Sequence, residues 1–369
     1  MEFKLSREAL LRVLNHVSSI VDSRSTITIL SNLYIKCENN NVEVRSTDMD
    51  ISIREFVSCE SVKNGEATVN SRILTDIIRK TKKNTIIKFK SDGTRLIINS
   101  ENSVFELNAL SADEFPKFVP LNQANSFELT VDQIKRIFNK TKFAISAEET
   151  RYYLNGVYFH TVKSDDKNIL KTVSTDGHRL AKNELEISSS VDIQGIIMPR
   201  KFILQLDKIL GDFEGTVKIV SSETQVSFET DSFIIISKLI DGKFPDYEKV
   251  IPVENDKLLE IETDPFFNAV DRVSTVNQDK TPTVKLVFEN NCVKIMATST
   301  ESNKGDEEVQ ANYTSQKLEI LFNSKYLLDL RDVLESENII LELLSQSSPV
   351  IVKDPKDNTS IYILMPMRV

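Results

Sequence analysis

A chain of 369 residues has room for two or three domains, each with its own core. Its 40% apolar and 27% charged residues exclude a disordered or fibrous protein, and no apolar run approaches the roughly 18 residues of a membrane span. The net charge of −9 argues on its face against nucleic acid; three scattered cysteines without a C-x-x-C pair argue against disulfides or zinc and for a reducing cytoplasm.

The chain opens on Phe3-Lys4-Leu5, a strand-like stretch without signal-peptide character. Ser6 then caps a helix carrying Leu10, Leu11, Leu14 and Val17. Ser46-Thr47-Asp48 follows, and Asn70-Ser71-Arg72 leads a second helix with Leu74, Ile77 and Ile78. Short alternating segments at 86–89, 95–98 and 104–107 read as antiparallel strands. Glu114-Phe115-Pro116 begins a proline-bounded linker.

The same order then returns. Phe127-Glu128-Leu129 leads to Thr130, with Gln133 at capping-box spacing, and a helix with Ile134, Ile137 and Phe138. Ser174-Thr175-Asp176 lies 128 residues after its first copy. Pro199-Arg200-Lys201 leads the second helix, strands are expected at 217–220, 226–228 and 233–236, and Phe244-Pro245-Asp246-Tyr247 marks the next linker. In the third copy, Asp264 is the expected cap, with Pro265 in the first helical turn. Ser299-Thr300-Glu301 stands 125 residues after its predecessor, and Asn323-Ser324-Lys325 leads a helix with Leu327, Leu328 and Leu330. Strands at 339–343, 350–352 and 361–364 close the chain. This pattern gives an α+β fold of three equivalent domains, 1–121, 122–252 and 253–369, each with two helices packed on antiparallel sheet.

The helices are basic although the chain is acidic. Arg72, Arg79, Lys80, Lys82 and Lys83 follow Ser71; Lys135, Arg136, Lys140 and Lys142 follow Thr130; Arg200, Lys201 and Lys208 mark another helix. Arg7, Arg12, Arg272, Lys325 and Arg331 add to them, while acids collect at 254–262 and 306–308. Such helices either line a phosphate-binding surface that reads no bases or simply present solvated faces. Catalytic signatures do not appear: no G-x-x-x-x-G-K-[ST], no G-x-G-x-x-G, no H-E-x-x-H, and no nucleophile paired with His178.

Four motifs in order carry a resemblance. Arg151-Tyr152-Tyr153-Leu154-Asn155-Gly156, Thr175-Asp176-Gly177-His178-Arg179-Leu180-Ala181, Phe244-Pro245-Asp246-Tyr247 and Met365-Pro366-Met367-Arg368-Val369 resemble the bacterial sliding clamps, the β subunits of DNA polymerase III. The resemblance covers the full chain. It implies three DNA clamp domains per chain and two chains joined head to tail in a ring, with helices around duplex DNA and sheet outside. It implies no catalysis and no cofactor. DNA contacts fall on Arg24, Arg72, Tyr152 and Tyr153, with Arg200 and Lys201 added; Glu148 stands where the family usually has glutamine.

A partner groove is implied at Leu154, Thr175, Gly177, His178, Arg179, Leu180, Pro245, Val250, Asn323, Tyr326, Met365, Pro366, Met367, Arg368 and Val369. Its implied ligands are short peptides of the polymerase catalytic subunit, the clamp loader, other polymerases and repair proteins. Methionines adapt to varied ligands and prolines stiffen a wall. Lys249, Thr281 and Val369 depart from common family residues. The implied dimer contact uses Phe105 and Leu107 on one side, Thr275 and Val276 on the other, with the acids Asp306, Glu307 and Glu308 meeting basic residues across it. A peptide-binding scaffold that never encircles DNA is the other reading.

Overall fold

The computed structural model describes residues 1–22, 26–121, 125–164, 167–189, 191–277, 279–300 and 302–367. In the first repeat, strand β1 (Glu2–Ser6) runs into helix α1 (Arg7–Val17), and the Ser6 hydroxyl accepts the Ala9 N–H at 3.2 Å as the sequence predicts. Strands β2 (Asn32–Glu38), β3 (Asn41–Thr47), β4 (Ile51–Ser58), β5 (Glu60–Lys63) and β6 (Gly65–Asn70) follow. Helix α2 (Ser71–Lys80), capped by the Asn70 side chain, precedes β7 (Ile86–Ser91), β8 (Arg95–Ser100) and β9 (Ser103–Asn108).

The second repeat has β10 (Asn125–Thr130), α3 (Val131–Asn139), β11 (Gly156–Ser164), β12 (Lys167–Thr175), β13 (Arg179–Ile187) and β14 (Ile196–Pro199). Then come α4 (Arg200–Leu210), β15 (Thr216–Ser221), β16 (Gln225–Glu229) and β17 (Phe233–Lys238). Thr130 and Gln133 form the expected reciprocal capping box at 2.9 and 3.2 Å. The third repeat has β18 (Lys257–Glu262), α5 (Thr263–Ser274), β19 (Thr283–Glu289), β20 (Cys292–Thr298), β21 (Lys304–Asn312) and β22 (Leu318–Asn323). It ends with α6 (Ser324–Leu328), β23 (Asn338–Leu343), β24 (Val350–Asp354) and β25 (Asp357–Leu364).

Two expectations need correction. Asp264 is not the cap of α5: the N-cap is Glu262 and the helix starts at Thr263, two residues earlier than expected, where the Thr263 N–H bonds Glu337 O at 2.8 Å and its hydroxyl bonds Ser336 O at 2.7 Å. Leu330 lies beyond α6, which stops at Leu328 and is followed by a short 3-10 turn, Arg331–Val333.

The chain divides into two compact units, residues 1–134 with 201–239, and 135–200 with 240–369. The first unit contains a five-stranded sheet, β5-β1-β7-β8-β9, and an eight-stranded sheet, β10-β15-β16-β17-β4-β3-β2-β6. The second contains a twelve-stranded sheet, β14-β11-β12-β13-β25-β24-β23-β18-β21-β20-β19-β22. Each unit thus joins neighbouring repeats by one antiparallel strand pair: β4 with β17, and β13 with β25. The registers correspond, with Ile51 opposite Ser237 and Arg179 opposite Leu364.

Apolar faces of the helices fill the cores. Leu10, Val13, Leu14 and Val17 of α1 are buried, as are Phe202, Ile203, Leu206, Ile209 and Leu210 of α4 and Phe266, Phe267, Val270 and Val273 of α5. Each such side chain contributes roughly 1.5–3 kcal/mol over exposure. No helix among the described residues is long and apolar enough to cross a membrane.

The turn repeated in sequence is repeated in hydrogen bonds. The Thr47 hydroxyl bonds Ile51 O at 2.9 Å, and the Asp48 carboxylate accepts Asp50 and Ile51 N–H. The Thr175 hydroxyl bonds Arg179 O at 2.7 Å, and Asp176 accepts His178 and Arg179 N–H. Met49, Gly177 and Ser302 occupy corresponding positive-φ places, at 76°, 86° and 68°.

Candidate functional site

The predicted groove residues gather around the β12–β13 turn in the second unit. Gly177 is favoured twice over: its φ is left-handed, and a Cβ there would stand 2.5 Å from Arg151 Nη1. Arg179 is the hub. Its Nε donates to Asp176 at 3.1 Å, its Nη2 to Phe143 O at 2.6 Å and its Nη1 to the Asp329 carboxylate. The guanidinium lies 4.6 Å from the Tyr326 ring centre and 5.3 Å from that of Phe143. Burial pushes the Tyr326 hydroxyl above its ordinary pKa, and Asp176 adds to this. His178 is exposed and lies nearly parallel to Tyr326, with ring centres 6.1 Å apart.

The last described residues close over this turn. Met365 N–H donates to His178 O at 2.8 Å and Met367 N–H to Leu321 O at 2.7 Å, so the Pro366 segment is tied to the β12–β13 turn and to β22. Leu154 and Leu180 are buried in one apolar cluster with Val173, Ile197, Phe244, Tyr247 and Ile363. Asn323 is mostly buried, and its side chain caps α6 by accepting Lys325 N–H at 3.0 Å. Pro245 and Val250 are exposed on the connecting segment that carries Phe244 and Tyr247. Arg368 and Val369 lie outside the described residues.

Sequence reading missed Arg151, Phe143, Asp329, Phe244 and Tyr247 as builders of this site. The departures are locally accommodated: Lys249 pairs with Asp246 at 2.8 Å, Glu148 pairs with Arg151 at 2.7 Å, and Thr281 is exposed.

The basic residues sort into two sets. Arg72 and Arg200 are exposed at the starts of α2 and α4, and Tyr152 is 54% exposed, edge-on to Tyr153 at 5.8 Å. Lys201, also exposed, is held by the Asp48 carboxylate. Arg24 lies outside the described residues. Other helix cations are structural, neither lining a phosphate-binding surface nor simply solvated. Arg7 bonds the carbonyls of Ile78 and Arg79 at 3.1 and 2.8 Å, completing the C-terminal end of α2. Lys140 is buried against Val333 O at 2.6 Å and Glu335 at 2.6 Å, and Arg136 bonds Asp357 at 2.8 Å.

Two predicted interface residues, Phe105 and Leu107, lie on β9, and the other two, Thr275 and Val276, follow α5 beside β21; both strands are incompletely paired. Among the described residues β9 pairs only with β8; Val104 is 64% exposed and Phe105 36%. Leu107 is half-buried there. On β21, pairing with β18 is confined to Ala311 and Asn312. Thr275 is exposed beside it, and Val276 lies against Gly305. The acids expected to reach across are already paired within the chain, Glu307 with Arg272 at 2.5 Å and Asp306 and Glu308 with Lys294 at 3.5 and 3.8 Å. Among the described residues no group of three or more His, Cys, Asp or Glu is placed to hold a metal ion.

The sequence matches family models for the DNA polymerase III beta subunit: its N-terminal domain over residues 1–119, its central domain over 128–246 and its C-terminal domain over 248–368. It is 37% identical over 372 residues to the beta sliding clamp of Caulobacter vibrioides and 32% identical over 369 residues to that of Escherichia coli K12, with 100% of both chains covered. The DnaN sliding clamp of Bartonella birtlesii, solved bound to griselimycin, superposes with a TM-score of 0.96 at 38% identity over 100% of both chains.

Proposed function

The chain belongs to the DNA polymerase III beta subunit family, the bacterial sliding clamps, and from that membership we propose that two copies close head to tail around duplex DNA. It is a non-catalytic processivity factor of DNA replication. One observation carries the ring reading. Strands β4 and β13 each take a partner strand from the following repeat, β17 and β25. Strand β21 corresponds to β4 and β13, yet among the described residues it pairs along 304–310 only with β20. Strand β9 corresponds to β17 and β25, and its outer side is open. A sheet edge this exposed is a template for another chain. The third repeat of one copy therefore pairs β21 with β9 of the other, with Phe105 and Leu107 meeting Thr275 and Val276, across repeats bounded near 121 and 252.

Within the ring, Arg72, Arg200, Tyr152 and Tyr153, with Arg24 and Lys201, contact phosphates without reading sequence. Weak, salt-dependent contacts let a closed ring slide. The groove around Arg179 takes short peptides of the polymerase catalytic subunit, the clamp loader and other polymerases and repair proteins in the cytoplasm. Griselimycin, to which the Bartonella birtlesii clamp was solved bound, is the small ligand we assign to this groove.

Sedimentation at micromolar concentration tests closure. The reading expects a dimer that F105D converts to folded monomer. A wild-type monomer at every concentration would contradict it.

A further inference from the structure

The segment between β17 and β18 lies on the sheet of the second unit as a strap. Between residues 241 and 250 only Phe244 and Tyr247 are buried. Both anchors land on β11. The Phe244 ring lies flat on Tyr158, with centres 4.8 Å apart and planes 3° apart. Tyr158 is itself confined, because Gly195 has φ +109° and a Cβ there would run into the Tyr158 hydroxyl. The Tyr247 hydroxyl lies 3.0 Å from His160 Nε2, two residues further along β11 on the same face. Lys171, opposite His160 on β12, reaches Glu248 at 3.2 Å and Glu184 at 3.5 Å. Burial, with Lys171 next in effect, holds the His160 ring below its ordinary pKa. A neutral ring leaves one nitrogen able to accept from a tyrosine O–H.

The first linker uses half of this device. Phe115 lies on Tyr34 with centres 5.7 Å apart, but Phe118 meets the Arg54 guanidinium at 4.8 Å rather than a hydrogen-bonding ring. The hydrogen-bonded form occurs on the strap that bears Pro245 and Val250. Its anchors share an apolar cluster with Leu154 and Leu180.

We propose that His160 and Tyr247 form a latch that fixes the strap, so that His160 is a positioning residue for the apolar peptides entering the groove. This rests on the groove reading above. The latch sets where Pro245 and Val250 stand without His160 touching the ligand. A loosened strap makes the bound geometry only one of several, which lowers affinity by the lost fraction.

The test measures griselimycin affinity, and separately that of the labelled cognate polymerase catalytic subunit, on the full-length protein. Y247F and H160F each remove the hydrogen bond and keep a ring; each is expected to weaken both ligands about fivefold, the scale of one hydrogen bond. The double variant should be no weaker than the worse single one, and H160Q, which keeps an acceptor, should retain wild-type affinity. Strictly additive losses, or wild-type affinity in both single variants, would overturn the latch. If wild type binds neither ligand, the groove reading fails and takes the latch with it. Should a ring variant not fold, K171M supplies a second arm: faster amide exchange over 241–250 with unchanged exchange in β11–β13 is expected, and unchanged exchange over the strap contradicts the proposal.

Discussion

The Arg179 guanidinium of the second repeat rests on the Tyr326 ring of the third, 4.6 Å from its centre, while bonding Asp176, Phe143 O and Asp329. One planar cation thus fastens two repeats at the point where the groove forms. Lysine offers a point charge without the fork or the stacking plane. R179K is therefore expected to lower stability by about 1.5–3 kcal/mol in urea unfolding and to weaken griselimycin binding about tenfold. Wild-type values for both would show that the fork is dispensable.

Gly177 supplies a second prediction. An alanine there must hold a left-handed backbone and displace the Arg151 guanidinium. G177A should cost about 1–2 kcal/mol. Arg151, displaced, should lose its pairing with Glu148, so adding E148Q to G177A should cost less than it does in wild type, which a double-mutant cycle measures.

How much of this was legible in sequence follows from range. Local chemistry read well: Ser6 and the Thr130–Gln133 box cap as predicted, and the threonine–acid turns recur with the same bonds. Asp264 read wrongly because Thr263 is held by the backbone of residues 336 and 337, a contact no local rule contains. Strands β2–β6, between the two helices of the first repeat, went unread. Arg136 and Lys140 looked like surface cations, but Asp357, more than 200 residues away, claims both. The residues around the β12–β13 turn were named by family resemblance; Phe143, Asp329 and Tyr247, which hold them, were not.

Asp357 gives a pH dependence. Burial raises its carboxyl pKa, but hydrogen bonds from Thr359 and Ser360, with Arg136, outweigh this and leave it lowered from 3.8 to about 2. A depressed carboxylate stabilises the fold above its unfolded value and loses that contribution as pH falls through its folded one. The contribution is about 2 kcal/mol. D357N should be less stable than wild type at pH 7, with the gap narrowing between pH 4 and pH 2. A gap constant across that window would show that Asp357 acts by shape alone.

The exposed helix cations make a separable prediction. Reversing Arg72 and Arg200 together should weaken equilibrium DNA affinity and flatten its salt dependence while leaving griselimycin affinity unchanged. Truncation of residues 365–369 should do the converse, removing partner binding while the dimer persists. Loss of both activities in either variant would mean that the two surfaces are not independent.

The central claim is topological, and one measurement addresses it most directly: retention on circular duplex DNA, loaded by the cognate clamp loader with ATP, before and after a single restriction cut. A closed ring stays on the circle at salt concentrations that strip ordinary phosphate binders, and runs off once the DNA is linear. Retention that ignores the cut but collapses with salt would identify simple electrostatic binding and contradict the ring.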